Sequence, residues 1–270
     1  MNAQQKLLAR LKKGNHICVG LDTDISKIPM YLHSEENPIV KFNRIVIDNT
    51  AEFAAAYKIN FAFYEKDGAA GFDNLLKTLE FIPDDVLVIA DAKRGDIGNT
   101  SDMYALSIFN YFNFDAVTLN PYMGHDSLLP FLNYNDKINF ILALTSNKGS
   151  ADFEKQKLAD GTYLFQKVIE SVNDWNANKN CGVVFGATNL EELKDNITSF
   201  KDLFVLLPGV GAQGGSLQEV VKAFSEKNNI NFLINISRAL LYLDKTTEFG
   251  KKIKLEMTRL NSEVLELLGI

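Results

Sequence analysis

Short apolar runs recur eight times along this 270-residue chain, and stretches of helical character separate most of them. The runs are HICVGLD (16–22), AYKINFA (56–62), VLVIADAK (86–93), AVTLNP (116–121), NFILALT (139–145), CGVVFGA (181–187), LFVLLPG (203–209) and NFLINIS (231–237). Most are continuously apolar, the pattern of strands covered on both faces in parallel sheets. Residues 37–56, 72–82, 100–112, 162–175, 189–200 and 215–228 place apolar side chains at helical spacing, and 251–269 ends the chain in a long helix. Residues 99–102 and 189–192 read as helix starts, with capping side chains and acids in the first turn. Residues 1–16 read as a short amphipathic helix ahead of the first strand. They lack the apolar core of a secretory signal and the Arg- and Ser-rich character of a mitochondrial presequence.

Eight βα units with short connections predict an α/β fold, a (β/α)8 TIM barrel, with residues 1–270 forming a single domain. A large doubly wound open sheet is the alternative. Such barrels commonly run to about 250 residues as one domain. Two longer connections, 23–38 and 146–160, follow strands one and five, on the face where these barrels build their sites.

Hydrophobic residues make up 46% and charged residues 23%, which excludes collagen-like, coiled-coil and disordered classes. No run reaches the roughly 18 apolar residues of a membrane helix. The charge balance, 28 basic against 34 acidic residues, gives −6 with no basic patch, which argues against a nucleic-acid partner. An anionic ligand must then be held by a few placed cations. Cys18 and Cys181 fall in apolar runs and read as buried thiols of a reduced, cytoplasmic protein. His16, His33 and His125 share no metal-ligand spacing, and His125 reads as a capping or solvated loop residue.

In a barrel the C-terminal strand ends converge on one mouth. Here they carry Asp22, Lys58, Asn60, Asp91, Lys93, Asn120, Thr145, Pro208 and Arg238. A purely structural barrel has no reason to crowd so many charges there. Within DAKRGDIGNTS (91–101), Asp91 and Lys93 stand two apart on a strand and face one side, with Asp96 in the loop beyond. A carboxylate beside an ammonium keeps both charged and suits a proton donor next to an anion binder. PGVGAQGG (208–215) matches G-x-G-x-x-G, but it follows strand seven of eight, and the next strand ends in Ser237-Arg238 with no acid for a ribose. That placement favours a phosphate monoester over a dinucleotide, held by glycine amides and Arg238.

These blocks resemble the orotidine 5′-phosphate decarboxylases. DAKRGDIGNTS matches that family's D-x-K-x-x-D signature, and GLDTD, YKINFAFYE, LTSNKGS, LLPGVGAQGG and NISRAL occur in its order across residues 19–240. AFYE and NPYMGHDSLLPF are similar to the longer bacterial (type 2) branch. The resemblance implies conversion of orotidine 5′-monophosphate to UMP and CO2, the last step of de novo pyrimidine synthesis, without metal or organic cofactor. It implies that Lys93 protonates C6 while Asp91 lies against the substrate carboxylate, and that Lys58, Asp91, Lys93 and Asp96 form an alternating charged array. Asp96, with Thr100 beside it, would enter the neighbouring subunit's site and contact the ribose, so the enzyme would be a homodimer with shared active sites. Asp22 and Lys58 would bind ribose hydroxyls, with Asn60 supporting Lys58 and Asp91. Thr145, ahead of Ser146, would read the pyrimidine edge. Pro208 and Gln213 would line and close a lid, and Gln213 and Arg238 would hold the phosphate. Two departures stand out: Ile236 replaces a small residue in NISRAL, and 146–160 is poorly matched.

Overall fold

The structure is a computed structural model that describes residues 1–211 and 213–270. The strands are β1 (Ile17–Gly20), β2 (Ala54–Asn60), β3 (Leu87–Arg94), β4 (Ala116–Leu119), β5 (Ile138–Leu144), β6 (Cys181–Phe185), β7 (Phe204–Pro208) and β8 (Phe232–Ile236). Each pairs in parallel with the next, and β8 pairs with β1, closing the barrel. All eight sequence-predicted strands are present. The helices are α1 (Ala3–Leu11), α2 (Pro38–Thr50), α3 (Ala62–Glu65), α4 (Gly68–Leu79), α5 (Gly98–Ala105) and α6 (His125–Leu132). They continue with α7 (Leu164–Trp175), α8 (Leu190–Asn196), α9 (Leu217–Ser225), α10 (Arg238–Leu241) and α11 (Phe249–Leu268). No helix among the described residues is long and apolar enough to cross a membrane.

Two apolar clusters follow from the two-residue period of the strands. Outward residues such as Ile17, Val19, Ile59, Val117 and Val205 pack beneath the helices. Inward residues such as Cys18, Ala56, Leu87, Ile89, Phe140, Leu206 and Leu233 fill the lower barrel. Gly182 belongs to this layer, where a Cβ would come within 2.8 Å of the Phe140 ring and 2.6 Å of the Phe204 carbonyl. Helix α1, expected from sequence only as a helix ahead of the first strand, packs Ala3, Leu7 and Leu11 against these inward residues and seals the lower end. Asn2 caps it through a reciprocal bond pair with Gln5. Lys6 pairs with Asp115 at 3.0 Å and Arg10 with Asp85 at 2.7 Å, tying the plug to the loops ahead of β4 and β3.

The structure corrects three local readings. The 37–56 helix stops at Thr50, and the alanines from Ala54 onward belong to β2. Alanine favours helices, but pairing with β1 and β3 outweighs that preference. Helix α6 falls where no helical spacing was evident, because it is short and contains Pro130. Residues 99–102 do not cap α5. The helix begins at Gly98, and the Ser101 hydroxyl donates instead to the Ser127 carbonyl.

His16 lies at the foot of β1, fully buried, stacked on Phe232 with Nδ1 2.9 Å from the Phe232 carbonyl. Burial lowers its pKa to about 4 despite that bond. The unfolded imidazole protonates near 6.5, so folding is undisturbed above that pH and loses stability as pH falls from 6.5 to about 4, by about 3 kcal/mol in all. Denaturant titrations at pH 7.5, 5.5 and 4.5 are expected to show this fall in the wild type and a much flatter response in His16→Gln. Equal slopes for the two proteins would rule His16 out as the source.

Candidate active site

Toward the C-terminal ends of the strands the inward positions change character. On β2 the series runs Ala56, Lys58, Asn60; on β3, Leu87, Ile89, Asp91; on β4, Ala116, Thr118; on β8, Leu233, Asn235. The apolar layers thus give way to a polar floor beneath an open cavity of about 280 Å³. Its walls include Leu142, Val184, Leu206 and Pro208, and its rim carries Thr145, Ser146 and Gln213.

Asp91 is the hub of the floor. Its Oδ2 accepts from Lys58 Nζ at 2.7 Å, and its Oδ1 accepts from Lys93 Nζ at 2.6 Å and from the Thr118 hydroxyl at 3.0 Å. Burial pushes the Asp91 carboxyl up, but the Lys58 and Lys93 ammoniums and their hydrogen bonds outweigh it and hold it far below the usual carboxylate range. Burial likewise works against a charged Lys58, yet Asp22 and Asp91 hold its pKa above the ordinary value. Asp22 approaches Lys58 at 3.6 Å. Both Asp91 and Lys58 are therefore ionised at neutral pH, nearly excluded from water. Lys93 differs: its side chain is half exposed, so its ammonium can leave Asp91 for a ligand in the cavity.

The backbone at this point departs from a regular strand. Lys93 has φ +46°, left-handed for a residue with a Cβ. The β3–β4 register slips between Ala90 and Arg94, so two β4 steps face four on β3. This irregularity turns the Lys93 side chain into the mouth. The following Asp96 and Thr100 do not line the cavity. The Asp96 Oδ1 accepts the Ile97 N–H at 2.8 Å, and Thr100 is exposed on the first turn of α5.

The rim is built from β5 and β7. Asn189 donates to the Thr145 carbonyl at 3.0 Å, and Glu154, from the poorly matched 146–160 connection, accepts the Thr145 N–H at 2.6 Å. The Thr145 hydroxyl is engaged with Glu154 and Asn147, whereas the Ser146 hydroxyl donates to Gln213 Oε1 at 2.8 Å. Of the two, Ser146 is the one coupled to the glycine loop. In that loop Gly209, Gly211 and Gly214 all have positive φ, at 102°, 74° and 92°. The loop runs into α9, capped by Ser216. Gly211 lies 3.7 Å (from an ideal Cβ) from Ala239, so it meets the start of α10, where Arg238 stands exposed beyond the cavity wall.

One cavity thus gathers Asp22, Lys58, Asn60, Asp91 and Lys93 with Thr145, Pro208 and Gln213. It does not gather Asp96, Thr100 or Arg238. Asn60 reaches it, but its Oδ1 accepts from Ala62 N–H at 3.1 Å, and among the described residues it makes no hydrogen bond to Lys58 or Asp91. Asn120 caps the Tyr122 turn beside a neighbouring groove. His125 packs on Trp175 at 5.2 Å between ring centroids. Thr118 and Asn235 were not singled out from sequence, and Ser146 was named only behind Thr145. The buried Asn235 Oδ1 and Asp22 Oδ1 have no hydrogen-bond partner among the described residues. No three acidic, histidine or cysteine side chains among the described residues converge as metal ligands.

A family-wide sequence model described as Orotidine 5'-phosphate decarboxylase / HUMPS family matches residues 15–253. The orotidine 5'-phosphate decarboxylase of Porphyromonas gingivalis is 49% identical over 244 residues, covering 89% of this chain and 88% of the relative. That of Flavobacterium johnsoniae is 44% identical over 271 residues, covering 99% and 98%. The solved OMP decarboxylase of Leishmania donovani superposes with a TM-score of 0.81 at 36% identity, over 97% of this chain and 100% of that one. By this match, and by the barrel and charged floor already described, the chain belongs to the orotidine 5'-phosphate decarboxylase / HUMPS family.

Proposed function

We propose that the chain decarboxylates orotidine 5′-monophosphate to UMP and CO2 in pyrimidine biosynthesis, with Lys93 as proton donor. The observation that carries this reading is the Asp91 carboxylate clamped between Lys58 and Lys93 at the cavity floor. When the C6–carboxylate bond breaks, its electron pair stays on C6 in an orbital that the pyrimidine ring does not delocalise. A preorganised ammonium stabilises that developing charge and supplies the proton that replaces CO2. Half exposure of Lys93 lets solvent reprotonate it after turnover. Lys58, nearly buried and held by Asp91 and Asp22, stays fixed and keeps Asp91 anionic against the substrate carboxylate. In this reading Ser146 meets the base edge, while Gln213 and Arg238 hold the phosphate with the glycine loop; the bond from the Ser146 hydroxyl to Gln213 supports a link between the two ends. Binding energy from the remote phosphate then serves to organise the reacting centre.

The same reading pairs two chains so that Asp96 and Thr100 complete the partner's cavity. It is supported by exposed apolar side chains: Ile97, Met103 and Tyr104 on the same segment, and Tyr122, Met123 and Phe153 on the connections after β4 and β5. A face of this kind marks an interaction site. Residues 1–270 act as one catalytic domain, and the free, buried Cys18 and Cys181 go with a cytoplasmic setting.

In the metal-dependent members of the wider barrel group, a metal-binding Glu stands near the end of strand two; here that place holds Lys58, which repels a divalent cation. Purified protein is therefore expected to consume orotidine 5′-monophosphate in excess EDTA, followed by loss of absorbance. No turnover, or turnover only after Mg²⁺ is added, would overturn the reading.

A further inference from the structure

We propose that Thr118 is a positioning residue that fixes both Lys93 and Asp91; this role rests on the decarboxylase reading above. Thr118 is 2% exposed and faces inward on β4, one step above Ala116. Its hydroxyl has one proton to donate and lone pairs to accept with. The proton goes to Asp91 Oδ1 at 3.0 Å, and the Thr118 Oγ1 itself accepts the Lys93 backbone N–H at 3.0 Å. One hydroxyl therefore ties the backbone of the lysine to the carboxylate that its own ammonium touches.

The slipped register explains why such a tie is needed. Between Ala90 and Arg94 the β3–β4 ladder is interrupted, and among the described residues no β4 residue is registered opposite Lys93. A buried amide without a partner is costly, and a left-handed φ on a lysine persists only when its surroundings hold it. Thr118 supplies both an acceptor and the restraint. Its β-branched side chain has restricted χ1, so the hydroxyl is aimed before any ligand arrives.

The tie also has a consequence during turnover. Asp91 Oδ1 accepts two bonds, from Lys93 Nζ and from Thr118. Once Lys93 swings toward C6, Thr118 and Lys58 are what hold the carboxylate plane. Loss of the hydroxyl leaves the cavity shape and the phosphate end intact but misplaces the two groups at the reacting carbon. The effect belongs on kcat rather than on ground-state binding.

The test compares Thr118→Val, which keeps the shape and loses the hydroxyl, with Thr118→Ser, which keeps the hydroxyl. Thr118→Val is expected to lose about 10- to 100-fold in kcat, with KM and calorimetric UMP affinity each within about threefold of wild type. Thr118→Ser is expected to restore kcat to within about threefold. Wild-type kcat in Thr118→Val, or equal loss in the Val and Ser variants, overturns the proposal. If Thr118→Val does not fold, Thr118→Ala against Thr118→Ser gives the same comparison. Wild-type protein run in parallel separates the two ideas: its failure to turn over sinks the decarboxylase reading, while an active wild type beside a fully active Thr118→Val sinks only the role of Thr118.

Discussion

Lys93→Ala is expected to lower kcat for orotidine 5′-monophosphate by about 10³-fold or more, because on the proposed reading it removes the proton source and the charge facing C6 together. The fold is expected to survive. Lys93 is half exposed, and Asp91 keeps Lys58 at 2.7 Å and Thr118 at 3.0 Å after the change. Alanine at φ +46° is strained as lysine already is, so the backbone term changes little. Circular dichroism melting and UMP titration would therefore stay near wild type while the absorbance assay falls to its floor. A loss under tenfold would mean that another group delivers the proton. The same logic separates Lys93 from Lys58, which is 4% exposed and holds two carboxylates. Removing Lys58 would leave buried anions uncompensated, a cost to folding as well as to chemistry.

The barrel was legible in the sequence because parallel strands under helices write themselves as uninterrupted apolar runs, and charges that end such runs have no packing role. Asp91 and Lys93 were found in this way. Thr118 was not: in AVTL it is one more β-branched strand residue, and only its inward register beside Asp91 distinguishes it. Asn235 is hidden in the same manner inside FLINI. The left-handed φ of Lys93 is a product of the slipped β3–β4 register, and nothing in DAKRGD announces it. The family resemblance also ranked Thr145 ahead of Ser146. The structure commits the Thr145 hydroxyl to Glu154, a residue of the connection whose part in the site was unassigned. Asp96 and Thr100 lie outside the cavity in the single chain, and only in the proposed dimer would they contribute to a second copy.

That contribution gives the second large effect. Lys93→Ala and Asp96→Ala homodimers should each be nearly inactive, and mixing them should bring activity back. If each cavity takes Lys93 from one chain and Asp96 from the other, a mixed dimer has one cavity with both defects and one with neither. With equal amounts and free exchange, half the dimers are mixed, so recovery should approach about one quarter of wild-type activity. The geometry favours this arrangement. Asp96 precedes the exposed Ile97, and α5 presents Met103 and Tyr104, so the acid sits on the rim of an apolar face rather than over its own Lys93. If Asp96 instead folded back over its own cavity, every mixed dimer would carry one defect per site and no activity would return. Exchange must be shown independently, by native mass spectrometry of differently tagged chains. Exchange without recovered turnover would place Asp96 in cis and separate the dimer from the chemistry, leaving the apolar face as a purely structural contact.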